Sequence, residues 1–358
     1  MIPPDPGTTP PDEGPPAPPP RAPDVPPPPE PADPSDRSQP PVRPGAGTFT
    51  IEGRAAPGLF VLGWLATIVG AGFVAIGLLS GGRGAAPILA VAGLLVLSIG
   101  LIAGAGSQGI ERRARGRAGY QGPSPVLVFV ASIPLSLLAI VVLGVPLALA
   151  GVPVDGPIGR LASVVVQALI YLGIVRLLVV DPGALSWAEM GIRRPDRRAL
   201  EDLGVGALWT VPVIGATIPV AAIFSVVFPV TPVSPLPPTG ELVGFTIQLI
   251  AGAIIAPLGE ELLFRAFATT AWARALGPRR ALFRGALFFA IVHVLTISGG
   301  TATQAGELAL VAFATRLPVA LALGWLFLRR GSIWAPIGLH ATFNAILLIL
   351  GEAAARSL

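Results

Sequence analysis

The 358-residue chain contains no cysteine and no lysine, two histidines, and few charges of either sign. Without cysteine there is no disulfide, no Cys-ligated zinc, no iron–sulfur cluster and no thiol nucleophile. All 24 basic residues are therefore Arg. Schiff-base chemistry and a phosphate-binding P-loop, both of which need lysine, are excluded with it. Any imidazole chemistry must use His293 or His340. Charged residues make up 12% of the chain against about 25% in a soluble domain. With 53% hydrophobic residues and a mean hydropathy of +0.74, the solvent for most of this chain is lipid.

Half of the prolines, 20 of 41, fall in residues 1–50, which carry almost no large apolar side chains. Such a segment cannot bury enough surface to offset chain entropy and reads as a disordered, partly polyproline tail. It has no basic stretch leading into an apolar core, so it does not read as a signal peptide. From residue 57 onward, apolar stretches of membrane-spanning length recur. We read nine: 57–80, 87–107, 125–150, 159–180, 203–229, 241–267, 281–298, 307–328 and 332–351. The seventh is short and the ninth contains Pro336, so either could be kinked or re-entrant. The expected fold is an all-α polytopic bundle of eight or nine spans. Its divisions are a tail (1–50), N-terminal helices (51–184) and a C-terminal core (185–358).

The arginines follow the spans. The loops after spans two, four, six and eight carry Arg112, Arg113, Arg115 and Arg117, then Arg193, Arg194, Arg197 and Arg198, then Arg274, Arg279 and Arg280, then Arg329 and Arg330. The alternate loops hold only Arg83 and, at the mouth of span four, Arg160. This alternation matches the positive-inside rule and puts the N-terminus in the cytoplasm. A basic excess placed between spans fits a bilayer partner and not nucleic acid.

Ionisable groups inside a span are costly, and each is a functional candidate. The sixth span contains Pro257-Leu258-Gly259-Glu260-Glu261-Leu262-Leu263-Phe264-Arg265. Glu261 and Arg265 stand at i and i+4, where a carboxylate meets a guanidinium on one helix face. Glu260 points about 100° away, with no local partner. His293 follows Phe288-Phe289 in span seven, and His340 and Asn344 form another i, i+4 pair in span nine. Counted from the cytoplasmic ends, Glu260 is expected about seven to ten residues deep, His293 about twelve and His340 about nine. The three could then meet at one level. Carboxylate plus imidazole suits general-base activation of water, and a second imidazole with an amide suits an oxyanion. The Glu260/His293/His340 set could also hold a divalent metal, usually zinc.

Glu-Glu-x-x-x-Arg at Glu260, Glu261 and Arg265, Phe-x-x-x-His at Phe289 and His293, and His-x-x-x-Asn at His340 and Asn344 resemble the motifs of the CPBP (CAAX protease and bacteriocin-processing, Abi) family. Trp187 to Arg194, Pro257 and Gly331-Ser332-Ile333-Trp334 add context, and the resemblance spans about residues 185–350. One departure is Ala266, where relatives often have Gly, which touches packing more than chemistry. The resemblance implies an intramembrane endopeptidase in the cell membrane, acting near the cytoplasmic face on a peptide or membrane-protein substrate. It also implies that Glu260 activates water with His293, that His340 and Asn344 support the oxyanion, and that Glu261 and Arg265 hold the site in shape. Metal dependence stays open. The alternatives are a non-catalytic scaffold or immunity protein and, behind it, a transporter; no internal repeat of the transporter kind is present.

Overall fold

A computed structural model describes residues 51–116, 118–228, 230 and 237–357. The proline-rich tail expected at 1–50 lies outside the described residues. Within them the fold is helical throughout, and no strand occurs among the described residues. The helices are α1 (Pro57–Leu79), α2 (Ala86–Ala114), α3 (Pro125–Leu149), α4 (Pro157–Val180), α5 (Arg197–Val227), α6 (Leu242–Leu276), α7 (Pro278–Val292), α8 (Ala302–Arg330) and α9 (Trp334–Arg356). All but α7 are long and apolar enough to cross a membrane. The chain is a multi-pass membrane protein.

The expected spans change at two places. The seventh, read at 281–298, is a helix of only 15 residues. It opens after Gly277, whose φ of +85° breaks the chain away from α6, and stops before His293. The polar run Thr296 to Thr301 cannot extend an apolar helix through lipid, because its side chains need hydrogen-bonding partners. The sixth span, read at 241–267, continues to Leu276. Pro336 does not kink α9, because in the first turn its missing N–H would have no intrahelical partner anyway.

The Arg-bearing loops gather at one end of the helices. Arg274 Nη2 donates to Glu189 Oε1 at 2.8 Å, Trp334 Nε1 to the Arg193 carbonyl at 3.3 Å, and Arg330 Nε to Asp202 Oδ1 at 2.7 Å. The Arg274 hydrogen bond, with the Ser186 N–H and hydroxyl, holds the Glu189 carboxyl down at about 2. At the opposite end, Thr239 N donates to Glu352 Oε2 at 2.9 Å, tying the start of α6 to the end of α9. Leu282 near the start of α7 lies beside Gly324 near the end of α8, so these two helices run antiparallel.

Without a solvent that expels apolar surface, membrane helices associate through close backbone approach at small residues. Gly206 of α5 lies against the Ala335 carbonyl and Leu339 of α9, and Gly338 returns the contact on Leu203. This pair fixes α9, and with it His340, against α5. A side chain at 206 would meet backbone atoms that cannot yield. Gly206→Val is therefore expected to destabilise the protein by roughly 1–3 kcal/mol or more, read as a lower melting temperature in detergent. A melting curve like the wild type's would show that α5 and α9 do not approach this closely.

Candidate active site

The acidic pair sits in a short α-helical stretch, Ala256–Glu261, between two π-helical stretches of α6, Ala251–Ile255 and Leu262–Thr269. Widened turns of this kind are rare and concentrate at functional sites, where they re-aim side chains. Here Glu261 points into the bundle with its side chain fully buried. Its Oε1 accepts from Arg265 Nη1 at 3.0 Å and from His340 Nδ1 at 2.7 Å. The Arg265 guanidinium lies over the Phe289 ring at 4.0 Å, and that ring contacts both His293, at 4.2 Å between centroids, and His340, edge-on at 5.8 Å. A desolvated cation–π contact contributes about 2 kcal/mol. Glu261, Arg265 and Phe289 thus form a dry frame that fixes one imidazole and packs against the other.

Glu260 stands outside that frame. Its Oε2 faces His293 Nε2 at 3.4 Å and His340 Nε2 at 3.7 Å, and it forms no hydrogen bond among the described residues. The His293 Nδ1 donates to the Phe289 carbonyl at 2.7 Å, a group that can only accept. In the neutral ring the proton is thereby placed on Nδ1, and Nε2 is left as a lone pair beside Glu260. His340 stands between two carboxylates, with Nδ1 on Glu261 and Nε2 toward Glu260.

The structure brings Glu260, His293 and His340 together, but not at the depths counted from sequence. Glu260 is sixteen residues before Leu276, about 24 Å along α6, and His293 is fifteen beyond Pro278. His340 is only six past Trp334, about 9 Å. The helix ends are uneven because the segment before α5 folds under α9. Leu185 and Met190 are fully buried there, and Ile333 N donates to the Gly191 carbonyl at 3.1 Å.

Asn344 lies on the same face of α9 as His340, yet its Nδ2 donates to the Gly252 carbonyl at 2.8 Å. That bond clamps α9 to the first π-helical stretch of α6 and leaves one amide hydrogen. Two neighbours were not singled out from sequence. Tyr171 of α4, whose hydroxyl accepts from Gln167 at 3.1 Å, lies within electrostatic reach of Glu260. So does Arg316, in the middle of α8. The signal for Arg316 was a lone guanidinium at the centre of an apolar span. Tyr171 carried no such signal.

Residues 242–346 match the family model described as Type II CAAX prenyl endopeptidase Rce1-like. This stretch is similar to the domain of that family. It runs from the start of α6 through Asn344 and so contains every residue of the geometry above. The family is one of proteases, hydrolases of the peptide bond. No curated protein and no solved structure matches the chain.

The metal question can be put to the donor set. Among the described residues, no group of three or more His, Asp or Glu is arranged to hold a metal ion. Both Nε2 atoms converge on one oxygen of Glu260, and His340 Nδ1 is engaged by Glu261. No step below is routed through a metal.

Proposed function

We propose that this protein is an intramembrane endopeptidase in which Glu260 and His293 activate a water molecule, with the site reached from the cytoplasmic side. The observation that carries the reading is Glu260 Oε2 standing unbonded between two imidazole Nε2 atoms, inside the stretch that matches the CAAX prenyl endopeptidase model. A water resting against Glu260 Oε2 and His293 Nε2 gives its proton to one of them as its oxygen adds to the scissile carbonyl. Once Glu260 is neutral, a doubly protonated His340 keeps Glu261 as the acceptor for Nδ1 and turns its Nε2–H to the developing oxyanion. The free hydrogen of the Asn344 amide is a second donor. Glu260 then returns its proton to the leaving amine, which completes the hydrolysis.

In this reading α1 to α4 support residues 185–358, which act as the catalytic core. The gathered Arg loops face the cytoplasm and put the N-terminus there, because positive loops are retained on that side. The lipid bilayer is the medium and a peptide or membrane protein the substrate, with cleavage near the cytoplasmic face of the cell membrane.

The test uses the full chain in vesicles with a membrane-anchored, internally quenched peptide. Cleavage is expected, with chelator leaving the rate unchanged. A single cysteine placed at Arg198 should react with an impermeant reagent from the cytoplasmic side, and one at Thr239 from the other. No cleavage by a correctly inserted protein would favour a non-catalytic scaffold. Inverted labelling would overturn the orientation alone.

A further inference from the structure

A cavity of about 540 Å³ lies between α1, α2 and the first turn of α3 at Leu127, outside residues 242–346 and away from the acidic pair. Its lining changes with depth. Where the helices end on the Arg-bearing side stand Arg54, Glu111, Arg112 and Arg115. Deeper in, Gly63, Trp64, Gly100 and Gly104 form a floor without charge. From Arg115 to Gly100 is fifteen residues of α2, about 22 Å. Half of the hydrocarbon core is about 15 Å thick. The cavity thus runs from the water boundary through one leaflet.

Glycine shapes the floor. A Cβ at Gly63 would meet the Gly104 backbone and one at Gly100 would meet Thr67, so α1 and α2 touch there through their backbones. Gly104 itself has an open side, where a Cβ would meet no atom within 4 Å. The mouth is unbalanced in charge. Glu111 is the only acid of the lining among the described residues. Its Oε1 accepts from Ala55 N at 3.0 Å, and its Oε2 lies 3.6 Å from Arg115 Nη2. Arg54 Nη1 is 3.9 Å from the same carboxylate, and its guanidinium packs over Phe60 at 3.5 Å. Arg112 Nη1 donates to the Gly122 carbonyl at 2.9 Å, which holds the third guanidinium at the rim. Three guanidiniums against one carboxylate leave two positive charges above an apolar floor.

We infer that this cavity binds an anionic phospholipid of the surrounding bilayer, its phosphate on Arg112 and Arg115 and an acyl chain along Gly104. The planar fork of a guanidinium matches two oxygens of a phosphate. An acyl chain suits the floor, where water would find too few polar partners. A zwitterionic lipid fills the same space but brings no net charge to offset the arginines. A free phosphate satisfies the rim and leaves the floor empty. The inference needs nothing from the endopeptidase reading.

The test uses the full chain in phosphatidylcholine nanodiscs containing a minority of lipid brominated near the top of its acyl chains. That lipid carries either a phosphatidylglycerol or a phosphatidylcholine head. Bromine quenches tryptophan fluorescence on contact, and subtracting the signal of Trp64→Phe isolates Trp64, which lines the cavity. Half-quenching is expected at about five- to thirtyfold less phosphatidylglycerol than phosphatidylcholine, as one or two basic side chains at an anionic surface provide. In the double variant Arg112→Gln/Arg115→Gln this ratio should fall toward one. Gly104→Leu should lower it equally with every arginine in place, because the new side chain takes the space of the acyl chain. Leu is also the better helix former, so α2 is not weakened. A ratio near one in wild type, or one unchanged in the double variant, overturns the inference. A ratio lost in the double variant but kept in Gly104→Leu would mean that lipid gathers at the basic rim without entering the cavity, which overturns it as well. Relief of quenching by inorganic phosphate alone would overturn the assignment to a phospholipid.

Discussion

Glu260→Gln is expected to lower kcat/KM for peptide cleavage by about 10²–10⁴-fold, the range that a positioned general base contributes. The substitution keeps size and shape and removes only the ability to take a proton. Glu260 Oε2 forms no hydrogen bond among the described residues, and its nearest polar neighbours are the two imidazole nitrogens at 3.4 and 3.7 Å, which a neutral amide can still face. The melting temperature should therefore stay at the wild-type value or rise, since a carboxylate between buried groups costs solvation. His293→Ala should cost nearly as much activity, because its Nε2 meets the same oxygen at 3.4 Å. The double variant should then be little worse than either single one, as residues that act as a unit are strongly non-additive. The chain has no third imidazole to take over. Losses that simply multiply, or a His293→Ala protein of near-full activity, would show that the two groups do not share a water.

How far the sequence reaches is clearest at this site. The i, i+4 spacing of Glu261 and Arg265 placed that ion pair correctly, because the pairing is local to one helix and the long Arg265 side chain still reaches Glu261 from the π-helical stretch that follows it. The spans were legible because lipid demands long apolar helices. The 15 residues of α7 were harder to delimit, because its apolar run passes into Val294 and Leu295 without a change in composition. Three features depend on tertiary contact and left no local trace. One is the His340–Glu261 bond, which joins residues 79 positions apart. From spacing alone His340 pairs with Asn344; in the structure each side chain instead reaches across to α6. Another is the π-helical widening on both sides of Glu260, which no residue type announces. The third is the depth of α9, set by the Leu185–Gly191 segment beneath it. Counting residues from helix ends assumed level ends, and the buried loop removes that premise.

Glu261→Ala is expected to behave in the opposite sense to Glu260→Gln, with stability falling alongside activity. The Glu261 side chain is fully buried, the Arg265 side chain is 2% exposed, and their contact is 3.0 Å. Deleting the carboxylate leaves a guanidinium with no counter-charge in contact, and breaking a buried pair from one side costs roughly 3–5 kcal/mol. The Phe289 ring still lies against Arg265, but a ring face replaces only part of a carboxylate's charge. His340 loses the acceptor that orients Nδ1, so Nε2 no longer has a fixed direction toward Glu260. Replacing both partners, as Glu261→Leu with Arg265→Met, should recover much of the stability, because a buried pair exchanged for apolar side chains of similar size is often neutral. Activity should not return, since the apolar pair has nothing to hold His340. Thermal melting of the single and double variants, run beside peptide cleavage, separates the two effects. A double variant that melts like wild type and also cleaves would mean that Glu261 only fills space. A single variant that melts like wild type would mean that Arg265 has another counter-charge.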